Sequence, residues 1–313
     1  MSLMSNYPRG FANGVSVFGA PILNTYTGNV FYVDSAHGGS NSNAGTVQKP
    51  FATLDYAIGR CTANNGDLIV VMPNHAETIT GVAGINADVA GITILGMGNY
   101  NQRPRFLMDG GTTVTFAVSA ADVTISNIEL ASGHLLVATG FNVTAVGCTL
   151  DRIEFTDNTT AENWGSPVKA TGAANTADGL RITNCRWVPL VATTNSLEFL
   201  EITDDIRGLV MHNNFIAHEG TESPLFLQAG TKVMHGASIM WNYLSHKMTA
   251  NDLAFDNGGS TNSGIIAHNR IGHADVTGAH VLGAVAGCRF FDNLSVSTDA
   301  LSGFVLPAID VDL

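Results

Sequence analysis

Apolar runs that turn at an asparagine and then resume recur through the C-terminal half of the chain. The clearest copy is Gly208-Leu209-Val210-Met211-His212-Asn213-Asn214-Phe215-Ile216-Ala217-His218, preceded by Gly179–Trp187 and followed by Ser238–His246 and Gly264–His273. With Asn184, Asn213, Asn242 and Asn269 as markers, the copies step by 29, 29 and 27 residues. Weaker copies lie at Val123–Leu130 around Asn127, at Val143–Leu150 with Gly147 in the asparagine place, and at Cys288–Val296 around Asn293. Such a unit, with short apolar runs jointed by Gly, Asn, Ser, Thr and Asp, predicts one coil of a parallel β-solenoid. A coil cannot bury its own apolar face, whereas coils stacked at about 4.8 Å per rung share one continuous interior. Asparagine suits a fixed corner because it tolerates the left-handed backbone region, and its amide can bond to the asparagines above and below. A β-sandwich would instead show hairpin signals every ~8–12 residues.

The pattern divides the chain into four parts. Residues 1–30, broken by Pro and Gly, are expected to form an extended arm without a core of its own. Residues 31–65 hold a strand, a Gly/Ser/Asn loop and a helix. Apolar positions at Phe51, Leu54, Ala57, Ile58 and Cys61, just after Pro50, have helical spacing and predict a short amphipathic cap over the open end of the first coil. An uncovered end would expose unpaired backbone. Residues 66–300 form the β-helix, and the apolar residues 301–313 are expected to cap the last coil or pack on a neighbouring subunit. Thr156–Thr176 is the longest polar interruption and is expected to protrude as a loop.

At 313 residues the chain can bury a large core, and a content of 45% hydrophobic but 13% charged residues suits a long body rich in uncharged polar groups. A net charge of −12 counts against nucleic acid or an anionic membrane as partner. No apolar stretch is long enough to span a bilayer, and the first residues lack the apolar core of a secretion signal. Cys61, Cys148, Cys185 and Cys288 stand in apolar contexts without metal or redox spacing, so free buried thiols are expected.

The run Phe31-Tyr32-Val33-Asp34-Ser35, then Gly45-Thr46, Pro50-Phe51-Ala52-Thr53-Leu54, Ala57-Ile58, Gly66–Pro73 and Glu77-Thr78-Ile79 resembles the start of pectate-lyase-like right-handed parallel β-helices. More narrowly, Asn6–Gly14 together with Tyr56–Thr62 is similar to uncharacterised phage and prophage virion-associated β-helix proteins. The resemblance covers the first 130 residues well and the later coils in pattern only. It implies an all-β, right-handed parallel β-helix, a phage particle assembled in the host cytoplasm as the setting, and capsid or other virion proteins as partners. It says little about chemistry, because this superfamily mixes lyases, hydrolases, spikes and silent scaffolds.

Candidate chemistry follows from the register. Glycoside hydrolysis needs two carboxylates about 5–5.5 Å or 6.5–9.5 Å apart. Asp204-Asp205 is an acidic pair, but the matching offsets hold Asn175/Thr176, Val233/Met234 and Ser260/Thr261, so no adjacent coil supplies a facing acid. Asp178 and Arg207 share one offset, which predicts a rung-to-rung ion pair. His218, His246 and His273 fall five, four and four residues beyond their markers, while Glu219 and Asp275 both fall six beyond. That histidine stripe with two acids is the alternative metal or acid–base site, set against a polar corner whose histidines only bond to backbone. His212 and His268, with Trp241, read as rings stacked on a rigid face. Phosphate-binding, zinc-hydrolase and nucleophile-elbow motifs are absent, and no cofactor is expected. The leading expectation is a non-enzymatic virion structural protein, a capsid decoration or spike, assembled as a homotrimer. The alternatives are a polysaccharide lyase or hydrolase (a phage depolymerase), and a module for surface glycans in which Trp164, Trp187 and Trp241 would line one exposed strip.

Overall fold

The computed structural model describes residues 28–190, 198–218, 226–246, 255–257, 261–273 and 287–297, with short strands at 15–17, 20–22 and 304–305. Alternating inward and outward side chains set up three sheets in which each strand's neighbour lies one coil away. The first sheet runs through ten strands from Val30–Val33 to Cys288–Phe291. The second runs from Ala76–Ile79 to Leu294–Ser297, all parallel, and ends with Phe304–Val305 pairing antiparallel to Leu294–Ser297. The third has seven strands, from Ile85–Ala87 to Phe255–Asn257. This is a parallel β-helix.

Inward residues stack in columns. Ile69, Ile94, Ile125, Leu150, Ile182, Met211, Ile239, Ile266 and Phe290 lie in register on the first sheet. Phe106, Leu130, Phe155, Trp187, Ile216, Leu244 and Ile271 do so on the second. Ile85, Phe116, Phe141, Val168, Leu200, Leu227 and Phe255 complete the third side. All of them are buried. The predicted helix forms over Leu54–Ile58, shorter than its apolar spacing suggested, and buries Leu54, Ala57 and Ile58. Its first N–H, on Leu54, is bonded by Glu77 from the next coil, whose carboxylate also meets the buried His75.

Two sequence expectations are corrected. The four marker asparagines do not stand in one file. Where the first sheet turns into the second, a single residue takes the left-handed conformation: Asn127, Arg152, Asn184, Asn213, Trp241, His268 and Asp292, all with φ between 52° and 60°. Asn184 and Asn213 belong there, but Asn242 and Asn269 occupy the next position, inside the body, together with Asn214 and Asn293. Earlier coils fill that inner position with Ile128, Ile153 and Cys185. Gly147 belongs to neither, and sits with Gly91, Gly179, Gly208 and Gly236 at the corner leading into the first sheet, again at positive φ. The polar segment 156–176 does not protrude as a whole, because Trp164–Ala170 is a seven-residue central strand of the third sheet. Its inward positions are Trp164, Ser166, Val168 and Ala170, and Gly140 lets the neighbouring strand approach the Pro167 carbonyl, which a Cβ there would meet at 2.4 Å.

The inner asparagines form a closed amide ladder. The Asn214 side-chain amide donates to Asn242 Oδ1 at 2.9 Å, Asn242 to Asn269 at 2.9 Å, and Asn269 to Asn293 at 2.9 Å. Each of these oxygens also accepts the backbone N–H of the preceding asparagine at 3.0 Å. The second amide hydrogens go to the carbonyls of Ile182, Met211 and Ile239 one coil back. Replacing Asn242 by Ala strips acceptors from two donors of Asn214 and a donor from Met211. At about 1–3 kcal/mol per stranded buried group, the expected loss is about 3–5 kcal/mol. Asn213→Gly, one residue from the ladder and exposed, is expected to change stability by less than about 0.5 kcal/mol. Urea unfolding of both variants measures the difference.

Candidate functional site

The corner between the first and second sheets gathers the most chemistry on the outside of the body. Its second-sheet column reads Arg105, Glu129, Glu154, Arg186, Phe215, Tyr243, Arg270 and Leu294 in register. The charged part is cross-linked. Arg105 pairs with Glu129 at 3.0 Å, and Glu154 is shared between Arg103 and Arg186, the latter at 2.9 Å. On the first-sheet side Asp151 accepts Arg152 at 2.8 Å, Thr183 at 2.9 Å and Asn184 at 2.8 Å. Partial burial works against the charge of Asp151, but the donors of Asn184, Arg152, Thr183 and Ser126 outweigh it and hold the carboxyl below its usual range. A groove of about 470 Å³ opens here, lined by Tyr100, Arg103, Arg152, Glu154, Asn184 and Arg186.

Further along the same corner the charges give way to rings. Phe215 and Tyr243 stack at 4.8 Å and 4°, with the Arg186 guanidinium 5.8 Å over the Phe215 ring. Trp241 and His268 stack at 5.5 Å and 6°, as expected from the sequence, while His212 stands one position earlier and meets Trp241 edge-on. Phe291 closes the row against His268. Phe215 with Tyr243 and Trp241 with His268 face each other along the axis, so one face of each of these rings is spent within the ladder. Phe215, Trp241, Tyr243, Ile265, Phe291 and Leu294 are each 37–53% exposed.

The sequence-derived candidates fare unevenly. Asp205 accepts the Val233 N–H at 2.9 Å, and its carbonyl accepts that of Asn175; with Ile206 paired to Met234, the acidic pair stands one residue off its predicted alignment of Asp204 with Val233 and Asp205 with Met234, and Asp205 serves the backbone. Asp204 lies 3.9 Å from Lys232. Asp178 bonds the Arg207 backbone N–H at 2.7 Å instead of its guanidinium, so the predicted ion pair is a backbone bond. The strand positions of His218 and His246 are direct partners, and His273 ends the next strand one residue after the pair Ser245 and Gly272. The side chains of these three histidines, and the whole of Glu219 and Asp275, lie outside the described residues. Counted from the inner ladder, Glu219 falls five residues on and Asp275 six, so the shared offset that aligned them disappears. Among the described residues no group of three His, Cys, Asp or Glu is placed to hold a metal ion, and no helix is long and apolar enough to cross a membrane. Trp164 and Trp187 are fully buried, which removes them from any exposed strip. The cysteines are free, and burial pushes the Cys185 thiol up to about 12.

Two acids that sequence reasoning passed over point inward. Asp157 follows Phe155 by two on its strand, and Glu198 precedes Leu200 by two, so strand alternation alone assigns both to the interior. Both are buried. Glu198 is bonded by the Ser166 hydroxyl, and burial pushes its carboxyl up. Asp157 accepts the Leu190 N–H at 3.0 Å through Oδ2, while its Oδ1 has no partner among the described residues. Burial, with Glu162 nearby, raises its carboxyl to about 6 against that one hydrogen bond. Ser132, the direct strand partner of Asp157, bonds the carbonyls of His134 and Asn163, whose Nδ1 and Oδ1 are likewise buried without partners among the described residues.

The register of three parallel sheets places the chain among parallel β-helix proteins. No family model and no curated protein matches the sequence. Among solved structures, a Rhamnogalacturonan lyase is similar at a TM-score of 0.38 and 14% identity, over 85% of this chain and 87% of that one.

A carboxyl whose folded pKa is raised weakens the fold as it ionises. Stability contributed at Asp157 is therefore present near pH 4 and lost as pH rises through about 6. The loss is expected to be about 2–3 kcal/mol by pH 7. Asp157→Asn, which keeps an acceptor for Leu190, should remove that slope. Urea unfolding of both proteins across this range checks it.

Proposed function

We propose that the chain is a non-enzymatic structural rod that assembles with further copies of itself, as a homotrimer, through the ring-bearing corner. The observation that carries this reading is the row of exposed rings at successive rungs, from Phe215 through Trp241 and Tyr243 to Phe291. Clustered apolar exposure of this kind marks an association surface. Its repeat is the rung spacing of about 4.8 Å, and a second copy lying parallel presents the same repeat, so each ring meets a ring along the whole seam. A saccharide would want ring faces, and both of Phe215's and one each of Tyr243's and Trp241's are taken by Arg186, by the neighbouring ring and by His268.

The acids support a scaffold over a glycan-cleaving enzyme. Glu129, Glu154 and Asp151 are tied to arginines, Glu201 to Lys169 at 2.6 Å, and Asp205 to the backbone. The likeness of Asn6–Gly14 and Tyr56–Thr62 to phage virion-associated proteins suggests a particle surface as the setting, as a decoration or spike.

Sedimentation velocity of the full chain at micromolar concentration is expected to show a trimer. Trp241→Glu combined with Phe215→Glu should weaken association by at least about 100-fold while leaving the far-UV circular dichroism unchanged, since like charges then meet across the seam. A wild-type monomer, or a variant that remains fully trimeric, would refute the proposal.

A further inference from the structure

We propose that the buried His75 is a proton-operated latch: while its ring is neutral it holds the loop Asp34–His37 against the first coil, and it lets that loop go when the ring takes up a proton. The latch lies at the N-terminal end of the body, beside the capping helix, and does not depend on assembly.

The state of the ring is written into its hydrogen bonds. Nδ1 of His75 accepts the backbone N–H of Ser35 at 3.0 Å. A backbone N–H can only donate, so Nδ1 carries a lone pair and the ring is neutral. Its proton is then on Nε2, which donates to Glu77 Oε2 at 3.2 Å. The imidazole is fully buried, so water cannot replace either partner. A second proton would go on Nδ1 and set two N–H groups against each other across a hydrogen-bond distance. One of these donors must then move away.

The two sides of the ring respond differently, which decides what moves. Toward Glu77, the added charge turns the bond into a charge-assisted one and holds ring and carboxylate together. Toward Ser35, the bond is lost. The other charged groups around the ring are engaged elsewhere. Asp34 takes the Ala36 and His37 N–H groups and the His37 ring, the last at 2.9 Å. Asp55 on the helix accepts the Asn86 N–H at 3.0 Å. From the next coil Arg105 gives its backbone N–H to the His75 carbonyl and its guanidinium to Glu129. Glu77 also accepts the Leu54 N–H at 2.9 Å, and the helix N-cap Thr53 makes no side-chain bond of its own. Retaining Glu77 therefore keeps the helix capped while the loop opens. Since Ser35 binds the neutral ring, its clip is present at higher pH and lost as pH falls. This is the opposite sense to Asp157.

Single-amide hydrogen exchange of the full chain tests this, expressed as protection factors so that the intrinsic pH dependence of exchange divides out. From about pH 8 to about pH 4.5 the protection of Ser35 is expected to fall at least about tenfold, while that of Leu54 stays within about twofold. His75→Gln, whose carbonyl can accept from Ser35 and whose amide can donate to Glu77 without titrating, should keep Ser35 protected throughout. His37→Gln, which removes the exposed histidine of the loop, should respond as the wild type does. Imidazole ¹⁵N shifts of the wild type supply an independent reading: the Nε2–H tautomer at high pH, and protons on both nitrogens over the interval in which Ser35 opens. The proposal fails if Ser35 stays protected in the wild type, if Leu54 is released together with it, or if the ring remains neutral while the loop opens. It fails equally if His75→Gln opens as the wild type does, which would assign the response to Asp34.

Discussion

Hydrogen bonding between consecutive coils, at one rung of about 4.8 Å, is the constraint from which the rest of this molecule follows. Because every strand lies beside the equivalent strand of the next coil, each side chain has a partner directly above and below. Whatever occupies a position must therefore be compatible with its own kind. Branched and aromatic apolar residues satisfy this inside, where they extend one packed column on each of three sides. Asparagine satisfies it at the inner corner, since its amide is both donor and acceptor and can repeat indefinitely without a stranded group.

Charged residues cannot repeat in that way, and the outer corner shows how the conflict is handled. Glu129 stands directly beside Glu154 on adjacent strands, a juxtaposition that costs stability when uncompensated. Arg105 neutralises the first, and Arg103 with Arg186 the second. The cross-links immobilise a set of arginines whose remaining donors face outward. In later coils the same column changes to Phe215 and Tyr243, where stacking replaces ion pairing. One structural position thus passes from a polar, ligand-sized groove to an apolar ridge within a few rungs.

The interior breaks its own rule where the second sheet turns into the third. Asp157, Glu198, Ser132, Ser166 and Asn163 are polar residues buried there. Among the described residues an oxygen of Asp157 and neighbouring atoms of His134 and Asn163 are buried without partners, so the polar groups of this region are incompletely satisfied. It makes the local stability of the rod depend on protonation.

The repeat, the β class, the solenoid architecture and the capping helix were legible in the sequence, because each rests on local rules of spacing. Apolar alternation names the strands, and a turn residue recurring every coil names the repeat. The stack of Trp241 on His268 was legible for the same reason. What could not be read was the register to the residue. Asn213 and Asn214 are adjacent, and only the three-dimensional structure decides that the second carries the amide ladder while the first takes the left-handed turn. A shift of one residue moves a side chain from outside to inside, so a column counted across Asn213 and on to Asn242 and Asn269 inherited the choice, and the shared offset counted for Glu219 and Asp275 no longer holds. The arginine groove joins residues from 100 to 186 across several coils and was invisible for the same reason. Sequence determined which residues turn, stack and hide, since these depend on near neighbours along the chain. Tertiary structure decided which of them meet, since that depends on the length of each coil.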